Sequence, residues 1–134
     1  MSIKVERTKI NAQVDDIATA SEDLSSSHLC MVVLGGAAAN SSATVGLPGG
    51  QGVRVDAVLL NAPESGEEAQ LGLTGIREVR AAEAFNAGVE LTVLDTTGRV
   101  EAAASGDFVC GIAREAAGEA DHIISMITTN YYKA

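Results

Sequence analysis

The apolar positions from Leu29 onward follow the pattern of short β-strands. Runs of about five to nine residues, rich in Val and Ile, are separated by Gly, Pro, Asn or Asp. In the run 53–60 every second residue is apolar, while Arg54 and Asp56 occupy two of the alternate positions, which is typical of a half-buried antiparallel strand. On this basis about eight strands are predicted, at 29–34, 43–47, 53–60, 68–79, 89–95, 99–103, 108–115 and 122–129.

Glycines indicate where these strands turn. The segments 95–98 and 116–119 each place a Gly late in a short loop, where a positive φ is tolerated, so each is predicted to close a hairpin. Gly75 interrupts the long apolar run 68–79. It is predicted to bend this run and to send residues 76–79 into a second sheet.

The chain also contains an internal repeat. The apolar pattern of 24–34 recurs at 84–94, that of 55–59 at 109–113, and that of 71–73 at 124–126. The first copy, about 24–75, carries six extra residues between Gly35 and Gly52, within 37–48, that the second copy, 84–128, lacks. Such a repeat indicates one folding unit duplicated within a domain. We therefore predict an all-β fold, a small antiparallel β-barrel or sandwich to which each copy contributes about half of the strands.

Residues 1–28 differ in composition and are predicted to form an N-terminal arm before a body at 29–134. The alternating stretch 3–7 is typical of an edge strand or an exchanged strand. The segment 15–23 is compatible with one short helix, because apolar and small residues recur there at helical spacing: Val14, Ile17, Ala18, Ser21 and Leu24.

The composition predicts a thin core. Of the apolar residues 22 are Ala, the chain has 14 Gly, and only four residues are aromatic. Each buried methylene contributes about 0.8 kcal/mol, and Ala has little to bury. We therefore expect a marginally stable monomer, and association with further copies would offset that deficit.

The charge of the chain is unevenly distributed. The net charge is −9, yet the first ten residues hold Lys4, Arg7 and Lys9 against Glu6. Because an acidic body repels phosphate, binding to nucleic acid is disfavoured. No apolar run approaches the roughly 18 residues of a membrane helix, and the first residues lack the pattern of a signal peptide, so we expect synthesis in the cytoplasm and no membrane partner.

The residues that could bind a metal or act as a nucleophile do not form a convincing set. His28, Cys30, Cys110 and His122 could be drawn together as zinc ligands, but none of the close ligand pairs usual in structural zinc sites is present. A Cys110 nucleophile assisted by His122 and Asp121 is disfavoured, because consecutive strand residues point to opposite faces. The two cysteines are predicted to be buried thiols that pack as small apolar residues.

Other candidate sites are equally weak. Glu64, Glu67 and Glu68 occur in a turn sequence, so their carboxylates are expected to be solvated rather than to bind Ca²⁺ or act as an acid and base pair. The Gly-Gly pairs lack the Lys-Ser or Lys-Thr of a phosphate-binding loop. No Lys occurs between Lys9 and Lys133, which excludes a lipoyl or biotinyl carrier, whose chemistry needs a Lys at a hairpin tip. We predict no metal, no cofactor and no enzymatic activity.

The segment 79–103 resembles a family of small tailed-phage proteins, the capsid cement or head decoration proteins. Its Ala87-Gly88, the following strand, and then Asp95, Gly98 and Arg99-Val100 follow the order found in that family. Residues 106–118 follow a second family pattern, with Gly-Asp, a strand containing Gly-Ile-Ala, then Glu-Ala-Ala-Gly. The resemblance extends over about 52–128, and the first 28 residues depart from it.

The resemblance implies a structural virion protein that binds the outer face of an icosahedral head. Its partner would be the major capsid protein, and such proteins often act as trimers that stiffen the shell. The alternatives are another virion subunit, such as a tail-tube, fibre-base or head-tail joining protein, or a small binding module.

Contacts are predicted in the segments outside the repeat: the arm, the insertion within 37–48 and the C-terminal tail. The arm and the tail aromatics have no obvious core to fill, so their residues are the candidate interface residues. These are Ile3, Lys4, Val5, Arg7, Ile10, Tyr131 and Tyr132.

Overall fold

The computed structural model describes residues 13–35 and 43–134, which contain ten β-strands and no α-helix. The all-β prediction is therefore confirmed. No helix in these two ranges could span a membrane. The strands are β1 (Asp16–Ala20), β2 (Met31–Gly35), β3 (Thr44–Gly46), β4 (Ala57–Leu59), β5 (Glu68–Gly72), β6 (Ile76–Arg80), β7 (Glu90–Val93), β8 (Val100–Ala102), β9 (Phe108–Ala113) and β10 (Ile123–Tyr132).

The strands form two five-stranded units. The first is a closed barrel with the strand order β1-β3-β2-β4-β5, in which β1 runs parallel to β3 and antiparallel to β5. The second is a sheet with the order β6-β10-β9-β7-β8. An isolated parallel bridge between Ala81 and Val100 connects the β6 side of this sheet with β8.

The two units have the same connectivity, so the predicted duplication is present in the fold. Equivalent backbone hydrogen bonds recur in each unit: the Ser21 N–H donates to the Val45 carbonyl at 2.9 Å, and the Ala82 N–H donates to the Val100 carbonyl at 2.7 Å. In the second unit, the parallel bridge at Ala81 thus corresponds to the β1–β3 pairing of the first barrel.

The structure corrects the limits of the repeat. Each copy begins one strand earlier than the sequence comparison indicated, at β1 and at β6. The ladders also pair Leu71 with Leu59 and Met126 with Ala113, so Leu71 corresponds to Met126 and not to Ile124. A two-residue error preserves the strand face, which is why the apolar pattern concealed it.

The predicted helix near 15–23 is wrong, because residues 16–20 form β1. Ile17 is exposed while Ala18 and Ala20 are buried, and β1 pairs with β3 and β5 in the barrel. Part of the segment assigned to the arm therefore belongs to the barrel. The small residues in this segment fit both the helical spacing and the alternation of a strand. Pairing with the neighbouring strands decided in favour of the strand.

Each of the eight predicted strands contains an observed strand, and Gly75 divides one of them as expected. Gly75 has φ +87° and separates β5 in the barrel from β6 in the second sheet. The predicted hairpins at 95–98 and 116–119 are confirmed, since they join the antiparallel pairs β7–β8 and β9–β10. Gly98 has φ +78°, and a Cβ there would lie 2.3 Å from the Met31 carbonyl oxygen, so only Gly fits.

The first barrel has a core of its own, built largely from small residues. Four of its nine buried residues are Ala, which confirms that large side chains are scarce there. The cluster consists of Ala18, Ala20, Leu24, Val32, Val45, Ala57, Leu59, Ala69 and Leu71.

A second cluster joins the two units. It combines buried residues from the second half of the chain with Leu29, Met31, Val55 and Val58 from the first half. Val58 is fully buried although the neighbouring β4 residues Ala57 and Leu59 fill the barrel interior. The outer face of the first barrel is thus buried against the second half of the chain.

A partly buried ion pair, in which Arg77 is the buried partner, ties the two units together at the β5–β6 junction. The guanidinium of Arg77 lies 2.7 Å from a carboxylate oxygen of Asp15, and its other nitrogens donate to the Gln13 and Thr74 carbonyls. The Leu73 and Thr74 N–H groups donate to the same carboxylate oxygen. These backbone bonds, Leu73 first, and Arg77 lower the pKa of Asp15. Each guanidinium nitrogen of Arg77 therefore donates to an oxygen.

Replacing Arg77 with Met should destabilise the protein by about 2 kcal/mol, because it removes the hydrogen bonds of a charged donor to Asp15, Gln13 and Thr74. Arg54→Met is the matched control. Arg54 has a 58% exposed side chain in its pair with Asp56, so that variant should cost less than about 1 kcal/mol. Urea unfolding of both variants measures the difference, and equal losses would contradict the structural role of Arg77.

Candidate functional site

The cysteines do not form a reactive site. Cys30 and Cys110 are free and buried, as predicted. Burial raises the pKa of Cys110 to about 12, and its thiol donates to the Leu91 carbonyl at 3.4 Å. Burial also raises the pKa of Cys30. Neither thiol is therefore ionised near neutral pH.

The residues considered as partners of Cys110 are engaged elsewhere. A ring nitrogen of His122 lies 3.2 Å from the Glu119 carboxylate, and the other accepts the Gly118 N–H at 3.1 Å. Asp121 binds Arg99 at 3.2 Å. Within the described ranges, no group of three or more His, Cys, Asp or Glu residues could hold a metal ion.

The acidic loop, which carries Glu64 and Glu67 and leads to Glu68, is a turn, as its sequence indicates. Glu64 and Glu67 are exposed, and the Glu67 carboxylate accepts the Glu64 N–H at 2.7 Å. This bond closes the turn before β5, which is a structural role for the carboxylate.

A groove of about 350 Å³ lies between the two units. Its walls include Met31 and Val58 on one side and Phe108 and Cys110 on the other. The charged side chains in its wall, Arg54 and Asp56, pair with each other at 3.5 Å, and Asp56 also accepts the Leu34 N–H. The charged groups that line the groove are therefore engaged in bonds that hold the fold.

The predicted arm contacts cannot be placed by the structure. Ile3, Lys4, Val5, Arg7 and Ile10 lie outside the described residues, as do residues 37–42 of the segment that contains the insertion. Their role remains a prediction.

The two tail tyrosines end β10, a strand that extends three residues past the predicted limit of 129. Thr128 pairs with Gly111 and Tyr131 with Val109, so β10 holds one residue more than β9 between these pairs, which is a β-bulge. Tyr131 and Tyr132 are 41% and 63% exposed. The bulged strand thus holds both rings at the protein surface.

The Tyr131 hydroxyl donates a hydrogen bond to the Glu90 carboxylate, whose other oxygen lies 3.3 Å from the Lys133 ammonium. The bond from Tyr131 lowers the pKa of Glu90, and the same bond raises the pKa of Tyr131. Lys133 also donates to the Ala103 carbonyl at 3.1 Å. Three polar side chains therefore connect the end of β10 to β7.

Tyr132 is held by a ring contact. Its ring meets Phe108 edge to face, with centroids 5.3 Å apart and planes at 76°. Such aromatic pairs contribute about 0.5–1.5 kcal/mol beyond their buried area. A rigid, exposed aromatic ring costs little entropy when it binds a partner, which suits an interface.

The sequence analysis missed other exposed apolar residues on the second sheet. Ile76, Ile123 and Ile127 are 40%, 40% and 48% exposed. The available signal was the predicted strand 122–129, in which Ile occupies both faces, because a surface strand would ordinarily alternate with polar residues.

The Tyr131–Glu90 bond can be tested by titration. In a Tyr132→Phe background Tyr131 is the only tyrosine, because the chain has two. The phenol should ionise above its ordinary pKa, and Glu90→Gln should shift the pKa back toward that value by removing the neighbouring charge. The bond therefore stabilises the fold fully between the ordinary pKa values of Glu and Tyr; it is lost as pH rises through the raised pKa of Tyr131 and as pH falls through the lowered pKa of Glu90. Ultraviolet absorbance follows the phenolate, and an identical titration in both variants would contradict the bond.

Comparison with known proteins identifies a similar fold. The chain is similar to the solved structure of the N base of head fiber gp8.5 in bacteriophage phi29, with a TM-score of 0.69 and 14% sequence identity over 85% of this chain and 92% of that chain. At that identity the similarity establishes a shared fold. No curated protein sequence matches the chain.

A family model decides the assignment. The model described as phage cement protein matches residues 11–128, and so includes the first barrel strands that the sequence resemblance had left out. It spans β1 to β9 and the first part of β10. The chain therefore belongs to the phage cement protein family.

Proposed function

We propose that this protein binds the outer surface of a phage head through the major capsid protein and stabilises the shell. The observation that carries the proposal is the family match over 118 residues, 11–128, which includes both five-stranded units. A phage cement protein is a structural protein of the virion and binds the capsid. Binding at the outer surface, and to the major capsid protein, is what the proposal adds to the family assignment.

The chemistry of the described residues supports a binding role. Both thiols are protonated at neutral pH, His122 is occupied by Glu119 and Gly118, and the acidic loop closes a turn. The polar groups considered as catalytic thus serve the fold. The surface instead presents several apolar side chains. They are Tyr131 and Tyr132 at the end of β10, and isoleucines on the second sheet.

We further propose that the protein acts as a homotrimer. The first barrel has an Ala-rich core, so the burial of surface between copies would add stability that the monomer lacks. A trimer that docks on several shell subunits also gains affinity through effective concentration, so that each contact can be weak.

The basic arm is proposed to contribute contacts with the shell, through Ile3, Lys4, Val5, Arg7 and Ile10. Its charge is opposite to that of the acidic body, which allows charge-directed docking. The arm residues 1–10 precede the family match. Tyr131 and Tyr132 are proposed as a second contact, since the fold presents both rings at the surface.

A second candidate is the base of a head fibre, which the fold similarity to the phi29 protein favours. The two functions differ in position on the virion. Cryo-electron microscopy of intact particles separates them, since a cement protein occupies many equivalent shell sites and a fibre base carries a further projecting structure.

Deletion of residues 1–10 should leave a folded body that no longer decorates shells. All ten strands of the described ranges lie outside the deleted segment, so folding should be unaffected. Co-sedimentation with expanded capsids measures binding, and circular dichroism checks the fold. The charge-reversed Lys4→Glu, Arg7→Glu double variant tests whether the arm acts by charge. Undiminished binding by the deletion variant would contradict the role of the arm.

The free protein should sediment as a trimer in solution. Sedimentation velocity over a range of concentrations gives the mass, which would be about three times the 13.7 kDa of one chain. A monomer mass at all concentrations would argue against assembly before docking.

A further inference from the structure

A row of isoleucines crosses the outside of the second sheet. Ile76 of β6 pairs with Ile127 of β10, and Ile127 pairs with Ile112 of β9, so the three residues lie side by side on neighbouring strands. Ile76 is 40% exposed, Ile127 is 48% exposed, and Ile112 is half-buried. Single exposed apolar residues are ordinary on protein surfaces, but a contiguous row marks a surface that binds something.

The equivalent row in the first barrel is already an interface. The ladder registers place Val58 where the second sheet has Ile112, and Gly72 where it has Ile127. Val58 is fully buried, and Gly72 lies under the Arg77 guanidinium, whose carbon would be 2.8 Å from an added Cβ. The second half of the chain provides this cover. The same position is thus covered in one copy of the repeat and uncovered in the other.

We propose that a second copy of this chain covers the row formed by Ile76, Ile112 and Ile127. The fold supplies the precedent, because the face at this position of the first barrel packs against the next five-stranded unit along the chain. In the second unit this face is partly exposed, and a second copy would supply the cover that the second unit provides for the first. The contact is then heterologous, and such contacts close into rings when the rotation between copies permits. This inference rests on the proposed self-association and assigns it a surface.

The charges around the row favour another copy over the basic arm. In the adjoining register, Glu78 lies opposite Ser125, and Arg80 lies opposite Ile123. The Arg114 N–H donates to the Ser125 carbonyl, and the Glu115 carboxylate accepts the Ser125 N–H at 2.8 Å. At the β7 end, Glu90 is neutralised by Lys133 at 3.3 Å. Acidic and basic residues are thus balanced around the row, so the row offers a basic segment little net attraction.

Ile127→Asp tests the proposal, with Ile123→Asp as the matched control. Both residues are exposed on β10, but Ile123 pairs with Arg80 and lies outside the row. Ile127→Asp should raise the dissociation constant of the oligomer by about tenfold or more, the loss expected for an apolar anchor, while Ile123→Asp should leave it nearly unchanged. Sedimentation velocity measures association, and thermal unfolding confirms that both variants fold. Equal dissociation constants for the two variants would overturn the proposal.

A photo-crosslinking residue at position 127 of the full chain identifies the occupant directly. Crosslinked peptides from residues 13–134 in a product of two-chain mass would support a second copy. Crosslinks to residues 1–12, or no crosslink in the free oligomer, would overturn the proposal. If Ile127→Asp reduces binding to capsids and leaves the oligomer intact, the row faces the shell, so this inference fails while the proposed cement function stands.

Discussion

The apolar contact between the two five-stranded units is the constraint on which the rest of this structure depends. The interior of the first barrel is built from small residues, and four of its nine core residues are Ala. Its outer face compensates, since Met31 and Val58 are buried in a cluster with residues of the second sheet. Because the hydrophobic contribution scales with buried apolar area, burying both faces of β4 recovers stabilisation that the interior alone lacks. The two units therefore form one cooperative body rather than two independent barrels.

The same contact restricts which residues can occupy the junction between β5 and β6. Gly72 must lack a side chain because the Arg77 guanidinium occupies the space above it, and Arg77 is acceptable in a buried position because Asp15 and two carbonyl groups take up its donors. The Asp15 carboxylate in turn accepts hydrogen bonds from the N–H groups of Leu73 and Thr74, which directly follow β5. Thus one ion pair connects the residue directly before β1 with β6, the first strand of the second sheet.

Duplication followed by packing makes equivalent positions unequal. Val58 and Ile112 hold the same place in their ladders, yet the first is buried and the second is half exposed. Membership of the phage cement family agrees with a body in which Cys110 and His122 are engaged in structural bonds.

The sequence by itself determined the all-β class, the duplication, the eight regions that contain strands from β2 to β10, and the turn at Gly75. These features are local, since they depend on alternation, on β-branched residues and on the positive φ that Gly tolerates. The burial of Cys30 and Cys110, and the turn role of the acidic loop, also followed from local pattern. Only the tertiary structure decided that residues 16–20 form a strand, because pairing with β3 and β5 selected the period that small residues left ambiguous. It also decided which of two equivalent apolar faces stays exposed. That choice depends on which unit packs against which, because Val58 and Ile112 are both apolar in the sequence and only Val58 is covered in the fold.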